Sequence, residues 1–189
     1  MSKEKENNLE SPDYLKKEEV EKLIEELMER GKVRDSLIVE TLFRTGMRKG
    51  ELLSVQKRHI SPGEKSKIAV RNSKTESGKR DVLVPRNLAS RLLVYAENRD
   101  KKEYDKIFDM TGRNMHYLIN KYGEEILGKD IHPHTLRHSF AVHFLNKTKN
   151  LVKLQRLLGH KNIDSTEKYL RYTVEDTREE YVSAFVGDE

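Results

Sequence analysis

The chain contains no cysteine. That absence excludes a disulfide scaffold, a thiolate zinc site and a cysteine nucleophile together. No apolar run approaches the length of a membrane span, and the opening residues MSKEKENNLE carry no signal-like hydrophobic segment. The expectation is a soluble, cytoplasmic protein with no membrane partner. Glutamine is scarce, occurring only at Gln56 and Gln155, while Lys and Glu abound. This balance resembles that of heat-adapted proteins, in which charged surface networks are favoured. No internal repeat, low-complexity tract or Gly/Ser linker divides the chain.

What the chain has in quantity is charge. Its 189 residues suit one ordinary domain, and with 37% charged against 35% hydrophobic residues the apolar positions must be gathered on particular faces for it to fold. The net charge of +5 conceals an asymmetry: residues 1–30 hold six Lys/Arg against ten Asp/Glu, leaving 31 against 22, or +9, from residue 31 onward. A basic body of this kind favours a polyanionic partner through counterion release.

The pattern of apolar residues is mostly helical. After Ser11-Pro12-Asp13, Val20, Leu23, Ile24 and Leu27 recur at the spacing of one helical face, and Gly31 ends that helix. A second helix runs from Arg34 to Arg44 and stops at Thr45-Gly46; a third begins near Met47 and sets Arg48 and Glu51 on one face. Lys67–Arg71 and Arg80–Val84 are β-rich runs around a turn at 73–78, and His59-Ile60 supplies a third strand. Between Lys57 and Arg86 lie nine Lys/Arg and three acids, the most basic stretch of the chain. Helical stripes return at Leu88, Leu92, Tyr95 and Ala96, then at Met115, Leu118, Ile119, Tyr122 and Ile126. Four short helical segments follow, from about His134, Leu151, Ser165 and Glu175. The expected fold class is α+β, mostly helical, with a small three-stranded antiparallel sheet.

Four local patterns follow one another: Thr45-Gly46-Met47-Arg48-Lys49-Gly50-Glu51-Leu52, then Lys74 in the hairpin, then His134-Thr135-Leu136-Arg137, then Leu157-Leu158-Gly159-His160 with Tyr169 nine residues later. Each alone is a weak motif; their order and spacing together are specific. On these residues the chain resembles the tyrosine recombinase, or phage integrase, family, which includes the Xer and Cre enzymes. The resemblance covers about residues 12–175.

The resemblance implies site-specific cleavage and rejoining of double-stranded DNA through a 3′-phosphotyrosine intermediate. Tyr169 is the implied nucleophile, Lys74 the acid for the departing 5′-oxygen, and His134 an aid to proton transfer or to the transition state. Glu51 orients its neighbours. Arg48, Arg137 and His160 are the expected phosphate ligands. The chemistry of these types is apt, because the phosphorane gains negative charge on its nonbridging oxygens, and a planar guanidinium offers that charge two parallel hydrogen bonds. A phenol with a pKa of about 10 is a poor nucleophile at neutral pH, so neighbouring arginines and a proton acceptor are required. The covalent intermediate stores the ester's energy, so no energy cofactor is expected, and because the two arginines, the lysine and a histidine supply the positive charge that a metal would otherwise bring, no metal is expected either.

Each residue also has a plainer reading. Arg48 suits a solvated pair with Glu51, Lys74 a surface charge near a turn, Tyr169 a packing residue and His160 a helix-end cap. His132, His134, His138 and His143 invite a zinc site, but the HExxH pattern needs Glu where the chain has Thr135, and Arg137 would repel the cation. Leu136, Phe140 and Phe144 place one side of that helix in the core, with Arg137 expected at its border. The expected organisation is a polar leader at 1–11, a catalytic domain at 12–175 and a helical tail at 176–189, and after Tyr169 the residues Val174, Tyr181 and Phe185 fall on one apolar helical stripe. The family's N-terminal core-binding domain is expected to be absent, and self-association from dimer to tetramer on DNA is implied. A type IB topoisomerase and a catalytically inactive DNA-binding module are the alternatives.

Overall fold

The computed structural model describes residues 14–71, 79–159, 166 and 169. At its start, Leu15 is tied down by side chains far along the chain: its N–H donates to Ser139 Oγ at 2.8 Å, and its carbonyl lies 2.8 Å from His143 Nε2. Helix α1 (Lys17–Glu29) begins where the Glu19 carboxylate accepts the Lys16 N–H at 2.9 Å, and buries Val20, Leu23 and Leu27 on one stripe. Helix α2 (Val33–Thr45) is covered nearly all round from Asp35 to Phe43, which makes it the central rod of the domain. It terminates at Gly46, whose φ of 61° is left-handed. Arg48 is extended and caps the single turn α3 (Lys49–Leu52). That helix thus starts two residues after Met47, because the Arg48 N–H is taken by Glu51.

The sheet joins β1 (Ile60–Ser61), β2 (Lys67–Val70) and β3 (Arg80–Leu83), antiparallel and in chain order. Its register sets Ile60 opposite Ile68 and Ile68 opposite Val82, all buried, while Asp81 on the other face binds Lys67 and Arg71 at 2.7 and 2.9 Å. Pro85 precedes α4 (Arg86–Glu97), and Thr111 caps α5 (Gly112–Tyr122) by accepting the Asn114 N–H. A π turn at Gly123–Leu127 leads toward α6 (Pro133–Thr148), which Pro133 starts, as its fixed φ and missing N–H suit a first helical position. Asn150 caps α7 (Leu151–Leu158), which ends on left-handed Gly159.

Two apolar clusters result. The larger unites α1, α2, the sheet, α4 and α5 around Leu23, Ile38, Leu42, Ile68, Leu92 and Phe108. The smaller holds Ala141, Val142, Leu145, Leu154, Leu158 and Tyr169, so it joins α6 to α7 and to the segment after it. The fold is the mostly helical α+β arrangement with a three-stranded antiparallel sheet that the sequence pattern predicts. The hairpin's connecting residues 72–78, the leader at 1–11, the helices expected from about Ser165 and Glu175, and the tail stripe lie outside the described residues.

Gly46 is the joint between the two clusters. A Cβ there would approach Phe140 Cδ1 to 2.4 Å and Leu158 Cδ2 to 3.0 Å, and the positive φ is itself unfavourable for any L side chain. Gly46→Ala is expected to lower unfolding free energy by about 2–3 kcal/mol, from the strained φ and the overpacking together. Urea denaturation of the two proteins measures the difference.

Candidate active site

Arg48 and Glu51 are brought together by the α3 turn. The Arg48 backbone N–H donates to Glu51 Oε2 at 2.8 Å, and its Nη1 donates to Oε1 at 3.2 Å. The Arg48 side chain stays 44% exposed while that of Glu51 is 8% exposed. Burial raises the Glu51 carboxyl pKa, but hydrogen bonds from the Arg80 guanidinium and the Arg48 backbone, with the charges of both arginines, outweigh it and hold the group below its ordinary value.

Arg137 stands one turn into α6 and, against the expectation of a border position, is 5% exposed. The reason is a pair of helix ends. One guanidinium N–H donates to the carbonyl of Gly46, at the end of α2, and another donates at 3.0 Å to the carbonyl of Leu158, at the end of α7. The last carbonyls of a helix lack internal partners and carry the negative end of its dipole, so a cation inserted between two such ends is held electrostatically as well as by hydrogen bonds. Burial and the nearby Arg48 push the Arg137 pKa down to about 10, so it still carries its charge at neutral pH. The left-handed glycines of the TG and LLGH motifs are the residues that end these two helices.

Tyr169 lies against this centre. The residue is 3% exposed, and its ring meets the His138 ring edge-on at 4.9 Å and is near enough to Arg137 to bear on that residue's charge state. Its N–H donates to the Thr166 carbonyl at 3.0 Å. His134 is exposed on the first turn of α6, edge-on to His132 at 6.3 Å. Lys74 and His160 lie outside the described residues. The other histidines have separate tasks: His132 Nδ1 accepts the Thr135 N–H as the α6 cap, and His143 meets the Leu15 carbonyl. Among the described residues no group of three or more His, Asp or Glu could hold a metal ion.

One participant escapes the motif reading. Arg80 grips both oxygens of Glu51, at 2.8 and 3.1 Å, and its Nε donates to the Leu157 carbonyl at 3.1 Å. The signal for it is the strand's period of two, since Arg80 shares the face of Val82 and so places a charge where the register demands a core residue. A charge in that position calls for a buried partner.

Arg48, Glu51, Arg80, Arg137 and Tyr169 thus converge from four segments on one small, cationic centre. Residues 13–176 match the phage integrase family. The chain belongs to that family. This integrase-family domain is 36% identical over 175 residues to the tyrosine recombinase XerA of Thermococcus kodakarensis, covering 88% of this chain and 61% of that protein. It is 36% identical over 153 residues to XerA of Saccharolobus solfataricus, covering 81% and 51%. The chain therefore spans about half to three-fifths of the length of these relatives. Among solved structures, the XerA recombinase superposes with a TM-score of 0.75 at 27% identity, over 91% of this chain and 65% of that one. The fold is also that of the XerH recombinase bound to its difH substrate, with a TM-score of 0.71 at 22% identity over 84% and 50% of the two chains. No helix among the described residues is long and apolar enough to cross a membrane.

The charge state of Glu51 carries a prediction. Because its folded pKa is depressed, its contribution to stability is fully present above the unfolded value and is lost as pH falls through the folded one. The stability difference between the wild type and Glu51→Gln is expected to be largest near neutral pH and to narrow as pH drops below about 4.3, the unperturbed glutamate value. Chemical denaturation of both proteins across pH 3–7 reads that trend.

Proposed function

We propose that this chain breaks and rejoins double-stranded DNA at specific sites, with Tyr169 forming a 3′-phosphotyrosyl bond and Arg48 and Arg137 stabilising the phosphorane. The observation that carries this reading is the placement of Tyr169 against Arg137, whose charge is fixed by two helix ends within reach of Arg48. In the transfer the tyrosine oxygen attacks phosphorus, the phosphorus–5′-oxygen bond breaks, and the departing oxygen takes a proton. Lys74 is the proposed donor of that proton, His160 a further phosphate ligand and His134 an aid to the tyrosine's proton. Reversal by the 5′-hydroxyl of another strand reseals the DNA without a cofactor. Since Tyr169 is buried in the α6–α7 cluster, productive contact with DNA requires its hydroxyl to shift toward the phosphate.

The wider proposal includes self-association on DNA, from dimer to tetramer, and action in the cytoplasm, where the substrate lies. The basic stretch between Lys57 and Arg86 would meet mainly phosphates, which position the protein and make its affinity fall steeply with salt.

A duplex nicked beside the scissile phosphate, whose short leaving strand diffuses away, traps the covalent complex. Tyr169→Phe is expected to abolish the adduct while leaving noncovalent binding intact, and Tyr172→Phe to retain it. An adduct that persists in the first and vanishes in the second moves the nucleophile to Tyr172; no adduct in any protein sinks the reading in favour of an inactive DNA-binding module. Exchange between two defined sites separates a recombinase from a topoisomerase.

Loss of the Arg137 guanidinium in Arg137→Gln is expected to slow cleavage on the order of a thousand-fold, the effect of removing a preorganised donor worth about 3–4 kcal/mol. Cleavage by the wild type is expected to survive EDTA. Abolition by the chelator and recovery with magnesium would overturn a mechanism in which arginines supply the positive charge.

A further inference from the structure

Glu51 is one carboxylate between two guanidiniums, and it does not treat them alike. Arg80 meets it with two parallel donors, Nη1 to Oε1 at 2.8 Å and Nη2 to Oε2 at 3.1 Å, the fork geometry in which an arginine–carboxylate pair is strongest. The Arg80 side chain is 11% exposed and is fixed along its length by the Leu157 carbonyl. Its guanidinium lies directly beneath Gly159, where a Cβ would approach it to 3.0 Å, so the left-handed glycine lets the end of α7 seat on it. The Arg48 side chain, by contrast, reaches the same carboxylate through a single donor at 3.2 Å and remains largely in the open.

We propose that Arg80 is a positioning residue: by occupying both oxygens of Glu51 it keeps the Arg48 guanidinium available to the scissile phosphate. This rests on the DNA-cleavage reading above. The two arginines compete for one fork. Arg80 arrives on a strand with its side chain already ordered, so it gives up little rotamer freedom in pairing, whereas Arg48 would have to withdraw a solvated side chain. With Arg80 removed, the buried carboxylate would be left under-compensated, and the nearest cation able to satisfy it is Arg48, three residues away on the same turn. Arg48 would then turn toward Glu51 the planar edge that a phosphate needs. Its backbone would stay in place, because the Arg48 N–H is bound to Glu51 independently. The loss therefore falls on transition-state stabilisation, in addition to the stability given up where Arg80 joins β3 to α3 and α7, which thermal melting reads separately.

The sign of an epistatic interaction tests this. Single-turnover cleavage of the nicked duplex is measured with the full chain at saturating protein, beside DNA affinity and thermal melting, for the wild type, Arg80→Met, Arg80→Lys and each of these combined with Glu51→Gln. Arg80→Met is expected to slow cleavage roughly ten- to a hundred-fold with DNA affinity within about threefold of wild type, since it costs part of one preorganised donor. Adding Glu51→Gln removes the charge that captures Arg48, yet its amide oxygen still accepts the Arg48 N–H. The double variant is therefore expected to cleave faster than Arg80→Met alone, by about threefold or more. Arg80→Lys keeps a cation without the fork and should fold as the wild type does, with an intermediate loss and the same recovery, so it answers the question should Arg80→Met fail to fold. Double variants no faster than their parents, or a wild-type rate in Arg80→Met, overturn the proposal. A wild type that forms no adduct overturns the cleavage reading and this inference with it.

Discussion

The insertion of one arginine between the ends of two helices organises this domain. Arg137 takes the carbonyls of Gly46 and Leu158, so α2, α6 and α7 meet at a buried cation. A guanidinium out of water is costly, and the downward shift of its pKa to about 10 shows that cost. It is offset by helix-end carbonyls that themselves need donors, which is why the charge is retained. Two left-handed glycines make the arrangement possible, since each turns the chain away at the residue where a helix stops and leaves its final carbonyls facing inward.

Around that cation the other charges are arranged with few degrees of freedom. Glu51 sits within the reach of Arg48 and Arg80, and Arg80 also closes the end of α7 through the Leu157 carbonyl. Three arginines against one carboxylate leave a net positive centre in a largely buried setting, where a low effective dielectric strengthens attraction for a phosphate. The same groups hold β3, α3, α6 and α7 together. Structural cohesion and the proposed phosphate affinity thus rest on one set of contacts, and changes here are expected to couple strongly rather than add.

Legibility in the sequence varied from residue to residue for physical reasons. Val20, Leu23 and Leu27 announce α1 because a helix must bury a stripe at its own period, and Ile68, Val70 and Val82 announce strands because alternate residues share a face. Arg48, Glu51, Arg137 and Tyr169 were identifiable through ordered local motifs, and the structure gathers them. Arg137 was placed at the border of its helix because pattern reading assigns a charge to the water side. It is buried because carbonyls from α2 and α7, 91 and 21 residues away, supply what water would have. Arg80 was passed over for the same reason, since its partners Glu51 and Leu157 are 29 and 77 residues distant.

By itself the sequence determined the fold class and most helices and strands among the described residues, and it supplied the candidate residues of the site, because periodicity, capping and short-range motifs act over a few residues and are written in consecutive letters. Only the tertiary structure decided which charges are paired and which stay open: that Glu51 is gripped by Arg80 rather than by its neighbour Arg48, and that Tyr169 is buried against His138. Those choices depend on the distances and dielectric surroundings that arise when remote segments pack. Electrostatic energy is set by where charges lie in space, and separation along the chain does not record it.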